Sequence, residues 1–211
     1  MVPALATVLA LFCFNASQAD MDQSIKNLKV VDAALEVNDF DRAKKWLDWV
    51  YGYLRDAAHA APGPNGKIKV DGGYADPPPP GLVRRAARAK ALLLSRSPTS
   101  TAAQREEAKR IYDKQVLEAK PGPAAQADYA EILSRIPAQA TTATTMLRTL
   151  RDKDLMGSAH GYAALAELEK AAGDSAAEAA AREKCKTRTK VPAICDAPTP
   201  ATPSATPASS P

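Results

Sequence analysis

Residues 158–186 read SAHGYAALAELEKAAGDSAAEAAAREKCK. Apolar side chains before Gly173-Asp174 recur at three- and four-residue spacing, which predicts a helix over 158–172. Gly173-Asp174 predicts a tight turn, and the Ala-rich residues 175–186 predict a second helix that returns along the first. The stretch is therefore a helical hairpin, a unit too small to bury its apolar face without a neighbour.

The same pattern recurs upstream, and prolines separate its repeats. Proline costs about 3 kcal/mol inside a helix, so prolines mark helix boundaries. Only Lys67–Val70 looks like a short extended piece. The class predicted is all-α: four antiparallel hairpins stacked as a short α-solenoid in one domain over residues 20–196. The six further predicted helices are Asp22–Val37, Phe40–Ala60, Leu82–Ser95, Thr101–Ala119, Ala124–Ile136 and Gln139–Lys153.

The last hairpin resembles a tetratricopeptide repeat, a resemblance carried by Tyr162, Leu165, Ala166, Gly173-Asp174 and the small Cys185. The first hairpin is similar to the family's turn and second helix at Asn38-Asp39-Phe40, Ala43, Leu47 and Val50. Glu169 and Arg182 depart from the pattern, because they stand where large apolar residues are usual. The middle two hairpins match poorly. The resemblance implies a concave surface that binds a peptide or protein, without catalysis.

The N-terminus reads as an export signal. Residues 2–14 are apolar and uncharged, but this run is too short to cross a bilayer, which takes about 20 residues. Small residues at Ser17 and Ala19 suit cleavage before Asp20, which makes residues 1–19 a signal peptide. We therefore expect a periplasmic or secreted protein. The alternative is a buried N-terminal helix.

Cleavage would remove Cys13 and leave Cys185 and Cys195. In an oxidising compartment these two residues can pair as a disulfide, which stabilises the fold by about 2–3 kcal/mol in the chain-entropy model. Two free thiols are the alternative. No His or second thiol pair lies near them in the sequence, so we expect no metal and no cofactor.

Residues 197–211 contain only Pro, Ala, Thr and Ser. Such a segment buries too little apolar area to offset the entropy of ordering it, so we predict a disordered tail. A linker or a glycosylated stalk is also compatible with this composition.

Aromatic residues concentrate on the second predicted helix, which holds five of the nine found from residue 20 onward: Phe40, Trp46, Trp49, Tyr51 and Tyr53. Steps of 100° per residue spread them around the helix, so one core-facing stripe cannot bury them all. Some must meet the loop over residues 61–81, a partner or a ligand. We predict Trp49 and Tyr53 as the contact pair.

A basic cluster opens the third predicted helix, at Arg84, Arg85, Arg88 and Lys90. It could attract acidic glycans, lipid head groups or an acidic partner, or it could be an ordinary solvated face. The net charge of +4 is too small to indicate nucleic-acid binding.

Catalytic patterns are absent from the sequence. Ser158 and His160 lie two residues apart, so they do not face each other on a helix, and Ser158 is better placed as an N-cap. We therefore expect an exported, non-enzymatic module that binds a protein or peptide. The alternative is a helical glycan hydrolase or lyase of the envelope, which needs a buried Glu with a raised pKa. A third possibility is a compact bundle whose arginine face lies on anionic membranes.

Overall fold

The structure is a computed structural model, and it describes residues 18–70, 73–117 and 121–196. The predicted all-α class is confirmed. Within these residues the helices are α1 (Gln18–Glu36), α2 (Phe40–His59), α3 (Pro80–Arg96), α4 (Ala102–Gln115), α5 (Pro123–Ser134), α6 (Ala140–Asp152), α7 (Ala159–Ala171), α8 (Ser175–Thr187) and α9 (Ala193–Asp196). Short 3-10 turns lie at Pro64–Gly66 and Pro137–Gln139.

Side-chain caps begin several of these helices. Asp39, Ser158 and Asp174 each accept a hydrogen bond from the backbone N–H three residues later, at the start of α2, α7 and α8. Thr101 and Gln104 form a reciprocal capping box on α4. The assignment of Ser158 as an N-cap is thus confirmed.

The helices pack as four antiparallel pairs: α1 with α2, α3 with α4, α5 with α6, and α7 with α8. We call these pairs hairpins 1 to 4. In hairpins 1 to 3, the first helix and the second helix both contact the first helix of the next hairpin. Each hairpin therefore covers the apolar face that its predecessor cannot bury alone.

Two apolar clusters form the core. One, the α1–α4 cluster, is built mainly from α1 to α4 with Ile132 of α5, and it includes Leu28, Val31, Leu47, Leu92 and Tyr112. The other spans α5 to α9 and includes Leu147, Met156, Tyr162, Leu165 and Cys185. Arginine–carboxylate pairs lie where the two halves meet, as described below.

The predicted extended piece at Lys67–Val70 proves to be one half of a small β-hairpin. Strand β1 (Ile68–Val70) pairs antiparallel with β2 (Gly73–Ala75), with Ile68 opposite Ala75. The strands are too short to show alternation, which is why the pairing was missed. Ile68 and Val70 pack against the α1–α4 cluster, so the segment buries part of its apolar surface.

The C-terminal helix α9 was also not predicted. The Cys185–Cys195 disulfide joins it to α8, with the two Cα atoms 5.8 Å apart. A four-residue helix has little stability of its own, so this covalent link and the burial of Ile194 and Cys195 hold it in place.

Two predicted segments fall wholly or mostly outside the described residues. The tail over 197–211 lies outside, as do residues 1–17 of the predicted signal peptide. Helix α1 already includes Ala19 and Asp20, the residues on either side of the predicted cleavage point. None of the helices in the described ranges is both long and apolar enough to cross a bilayer.

Gly173 and Gly52 allow a matched test of the hairpin geometry. Gly173 closes the α7–α8 turn with a φ of +78°, which an alanine adopts only with strain, whereas Gly52 lies inside α2 with open space around it. Gly173→Ala should lower the free energy of unfolding by about 1 kcal/mol, and Gly52→Ala should raise it by about 0.5–1 kcal/mol. Urea denaturation followed by circular dichroism measures both. Equal effects of the same sign would contradict the turn assignment.

Candidate functional site

The five aromatic residues of α2 separate into different environments. Tyr53 is 7% exposed and belongs to the core, while Phe40, Trp46 and Tyr51 are half-buried against it. Trp49 is 39% exposed. The prediction that one stripe cannot bury all of them is therefore consistent with the fold.

The predicted contact pair, Trp49 and Tyr53, does not form one surface. Burial makes Tyr53 inaccessible to a partner. The same burial, together with the negative charges of Asp20 and Asp22, raises the pKa of its hydroxyl. Trp49 is accessible, but it lies on the solvent side of α2. Residues four apart on a helix lie close together, but their side chains point in directions that differ by about 40°. That difference places Tyr53 in the core and Trp49 in solvent.

Tyr51 instead lines a groove of about 510 Å³ between α2 and the corner where α3 meets α4. We call this the α2–α3 groove. Its floor is apolar and its rim carries charges and hydroxyls. The lining residues are Phe40, Asp41, Lys44, Leu47, Asp48, Tyr51, Lys90, Leu93, Leu94, Ser97, Thr99, Ser100 and Gln104.

Charges around the α2–α3 groove are of both signs. Lys44 Nζ lies 2.5 Å from Asp48 Oδ2, so these two side chains pair across one turn of α2. Lys90 Nζ lies 5.2 Å from the centre of the Tyr51 ring, a cation–π contact that joins α3 to α2. Burial raises the pKa of Tyr51 to about 12, so its hydroxyl stays protonated and able to donate a hydrogen bond.

Residues 61–70 and 73–81, the described parts of the predicted loop, do not line this groove. Its Tyr74 ring lies directly over Gly63, so close that a Cβ at that position would meet the ring carbons. Tyr74 is 52% exposed. Ile68 and Val70 of the same loop pack against the core that Phe40, Trp46 and Tyr51 also contact.

Two of the three arginines in the predicted basic cluster are held in intramolecular ion pairs. Arg85 Nε donates to Asp32 Oδ2 at 2.9 Å, and Arg88 Nε donates to Asp128 Oδ2 at 2.6 Å. Arg84 is exposed. The partners come from α1 and α5, the neighbours of α3 in the stack, and no spacing in the sequence reveals such a contact.

A buried ion network connects the hairpins. The guanidinium of Arg96 on α3 makes two hydrogen bonds to Glu131 on α5, at 2.8 and 2.7 Å, and donates a third to the carbonyl of Leu35. Arg135 Nη2 donates to Glu131 Oε1 at 3.0 Å. Burial acts to raise the pKa of Glu131, but Arg96 and Arg135 outweigh it and lower the pKa to about 2.

The two departures from the tetratricopeptide pattern are explained by similar pairs. Glu169, fully buried, accepts from Arg148 Nε at 2.8 Å. Arg182 donates to Glu178 and Glu167, at 3.0 and 2.5 Å, and also to the carbonyl of Cys195. Ion pairs thus lie at the two positions where the predicted repeat pattern expects large apolar side chains.

His160 and Ser158 have separate partners, since the Ser158 hydroxyl accepts from the backbone N–H of Gly161 while His160 contacts a distant turn. The Nε2 atom of His160 lies 3.0 Å from Oδ1 of Asn38, 122 positions away in the sequence, so hairpin 4 contacts the turn of hairpin 1. Burial, then the positive charge of Arg96, lowers the pKa of His160 to about 3, although Glu131 acts in the opposite direction. The imidazole is therefore neutral at physiological pH.

The lowered pKa of His160 predicts that acid destabilises the fold at pH values above those at which carboxylates titrate. An unfolded histidine has a pKa of about 6.5, so below that pH the unfolded chain binds a proton that the folded protein excludes until about pH 3. The free energy of unfolding should fall as the pH drops from 6.5 to 5, by up to about 1.4 kcal/mol per unit.

Urea denaturation at a series of pH values measures this slope. His160→Gln should flatten it, because glutamine does not titrate and its amide can still donate to Asn38. His59→Gln is the matched control, at the exposed end of α2, and should leave the slope in place. An unchanged slope in His160→Gln would contradict the assignment.

In the described part of the chain, no group of three or more His, Cys, Asp or Glu side chains is arranged to hold a metal ion. Comparison with known proteins gives no match, since neither a family model, a curated protein nor a solved structure is significantly similar to the chain. The resemblance to tetratricopeptide repeats therefore stays a prediction.

Proposed function

We propose that this chain is an exported, non-enzymatic scaffold that binds a segment of another protein or a peptide in the α2–α3 groove. The observation that carries the proposal is the groove itself, an apolar floor with a mixed polar rim, open on the surface of stacked helices. Such a composition is typical of sites that take apolar side chains of a polypeptide and fix its backbone by hydrogen bonds.

The size of the groove favours a segment over a whole domain. About 510 Å³ accommodates a few side chains, and residues of α2, α3 and α4 line the space. Leu47, Leu93 and Leu94 offer apolar contact, while Ser97 and Thr99 line the same groove with their hydroxyls 3.0 Å from each other. A segment with one or two large apolar residues, flanked by polar ones, fits this arrangement best.

The groove also has little need to rearrange. Arg96, one turn beyond Leu92 and next to Ser97, is fixed to Glu131 and to the carbonyl of Leu35, which holds the end of α3 against α1 and α5. A wall fixed in this way avoids the entropy cost of ordering on binding. Mixed charge on the rim, with Lys44 already paired with Asp48, argues against a polyanionic ligand in the groove.

The arginine partners of the buried glutamates favour a binding function over glycan hydrolysis. A glycan hydrolase needs a protonated carboxylic acid, hence a raised pKa, at its cleavage site. The pKa of Glu131 is lowered instead, to about 2, because Arg96 and Arg135 stabilise its ionised form. Glu169, equally buried, is held by Arg148. The Cys185–Cys195 disulfide is consistent with export to an oxidising compartment.

Site-specific photo-crosslinking tests the proposed site in the intact protein. A photoreactive residue in place of Thr99, an exposed position in the groove, should trap a discrete protein adduct in the native compartment. The same residue in place of Lys45, exposed on another side of α2, should trap none. Equal adducts at both positions, or none at either, would contradict the groove assignment.

Tyr51→Ala should weaken binding of the trapped partner by about tenfold or more, because it removes an aromatic contact in the groove together with the cation–π contact of Lys90. Trp49→Ala removes a comparable aromatic side chain outside the groove and should leave the affinity within about twofold. Isothermal titration measures both affinities, and thermal unfolding confirms that both variants are folded. A greater loss in Trp49→Ala would move the contact surface to the other side of α2.

A further inference from the structure

Lys90 is a half-buried cation in the wall of the α2–α3 groove. Its ammonium group lies over the ring of Tyr51, 5.2 Å from the ring centre, and no carboxylate of the described residues forms a salt bridge with it. Arg85 and Arg88, one and two turns earlier on α3, are both held by carboxylates of neighbouring helices. A cation that has lost part of its water and has no counter-ion attracts an incoming carboxylate more strongly than an exposed one does.

The contact between Lys90 and Tyr51 marks one end of the groove. Tyr51 is the last lining residue of α2, and Lys90 is the first lining residue of α3. Leu93 and Leu94 follow Lys90 by three and four residues, so they continue the same wall of α3 one turn further on. Leu47 lines α2 one turn before Tyr51. A ligand group that reaches Lys90 therefore has apolar surface beside it.

The charges that line the groove balance in number but not in position. Two are positive and two are negative: Asp41, Lys44, Asp48 and Lys90. Lys44 Nζ donates to Asp48 Oδ2 at 2.5 Å, so these two neutralise each other. Asp41 precedes Tyr51 by ten residues on α2, which is about 15 Å along the helix axis. Asp41 therefore belongs to the opposite end of the groove, and Lys90 is the unpaired charge at the Tyr51 end.

We propose that the segment bound in the α2–α3 groove carries an aspartate or glutamate side chain that pairs with Lys90, next to a large apolar residue that packs on Leu47 and Leu94. This inference rests on the proposed function and names the chemistry of the bound segment. A single carboxylate suits the site better than a phosphate, because only one unpaired cation is present and Asp48 lies one turn from Tyr51.

Tyr51 supports the same assignment. Its side chain lines the groove beside Lys90, and its hydroxyl stays protonated because burial raises its pKa to about 12. The hydroxyl is thus a second donor at this end of the groove, and a carboxylate has two oxygens that accept hydrogen bonds.

Selection of phage-displayed random octapeptides on the full chain tests the proposal. Sequences that bind the parent but not Tyr51→Ala are assigned to the groove, and they should carry Asp or Glu within two positions of a large apolar residue. Groove-dependent sequences without this acidic preference would overturn the present proposal and leave the proposed function standing. A lack of any groove-dependent sequence would contradict both.

Charge reversal separates the role of Lys90 from folding. Lys90→Glu should select Lys or Arg where the parent selects Asp or Glu, because the attraction changes sign. Loss of the fold would abolish selection and could not reverse it. Lys45→Glu makes the same change of charge at an exposed position of α2 outside the groove, and should keep the acidic preference. An acidic preference retained in Lys90→Glu, or a reversal in both variants, would overturn the assignment to Lys90.

A double-mutant cycle with one selected synthetic peptide measures the pair directly. Replacing its acidic residue by the corresponding amide, or Lys90 by Gln, should each weaken binding by about three- to tenfold. Both changes together should cost no more than either alone, because they remove the same contact. Isothermal titration gives the four affinities, and circular dichroism checks that Lys90→Gln is folded. Losses that multiply would overturn the pairing.

Amidation of the peptide C-terminus identifies the source of the carboxylate. If the acidic side chain pairs with Lys90, amidation should change the affinity by less than about twofold. A large loss on amidation, with no effect of replacing the acidic side chain, would overturn the proposal and assign Lys90 to a chain terminus.

Discussion

The carboxylate of Glu131 is the constraint on which the rest of the fold depends. It lies at zero exposure between the guanidinium groups of Arg96 and Arg135, and Arg96 reaches from there to the carbonyl of Leu35. One buried charge thus joins α1, α3 and α5, the first helices of three hairpins. A charge of this kind costs several kcal/mol when it loses a partner, so the register of the stack is strongly specified by it.

The position of the α2–α3 groove follows from that register. Leu93, Leu94 and Ser97 belong to the last turn of α3 and its exit, so fixing Arg96 also fixes one wall of the groove. The opposite wall is α2, which Ala43, Leu47 and Val50 hold against the core. His160 adds a contact between hairpin 4 and the turn of hairpin 1 through Asn38. Polar contacts thus decide how hairpins that share similar apolar faces are arranged.

Much of the helix pattern could be predicted from the sequence, because proline positions and caps act locally. Pro137, for example, keeps Ile136 out of helical geometry, so α5 ends at Ser134 and not at the predicted Ile136. Pro80 begins α3 two residues earlier than expected, since proline is well suited to the first turn of a helix. Asp71-Gly72 between the two short strands is a signal of a hairpin that could have been recognised.

The candidate sites were harder to predict, because side chains of the same type lie in different environments, some buried or paired and others exposed. The sequence shows that aromatics concentrate on α2, but a rotation of 40° separates buried Tyr53 from exposed Trp49. Arg85 and Lys186 are both basic residues on helices, but only the former meets a carboxylate, which α1 provides. Such partners are distant in the chain and leave no local signal.

The sequence by itself determined the all-α class, the four hairpins and their turns, since each depends on residues close together in the chain; it left Cys185 and Cys195 as a possible pair, and the structure joins them. The tertiary structure alone decided which charges are neutralised, which aromatic residue lines a groove, and where unpaired cations remain. The physical reason is that ion pairs and grooves arise between helices that are neighbours in space, and burial makes each of these contacts depend on the packing of the whole stack.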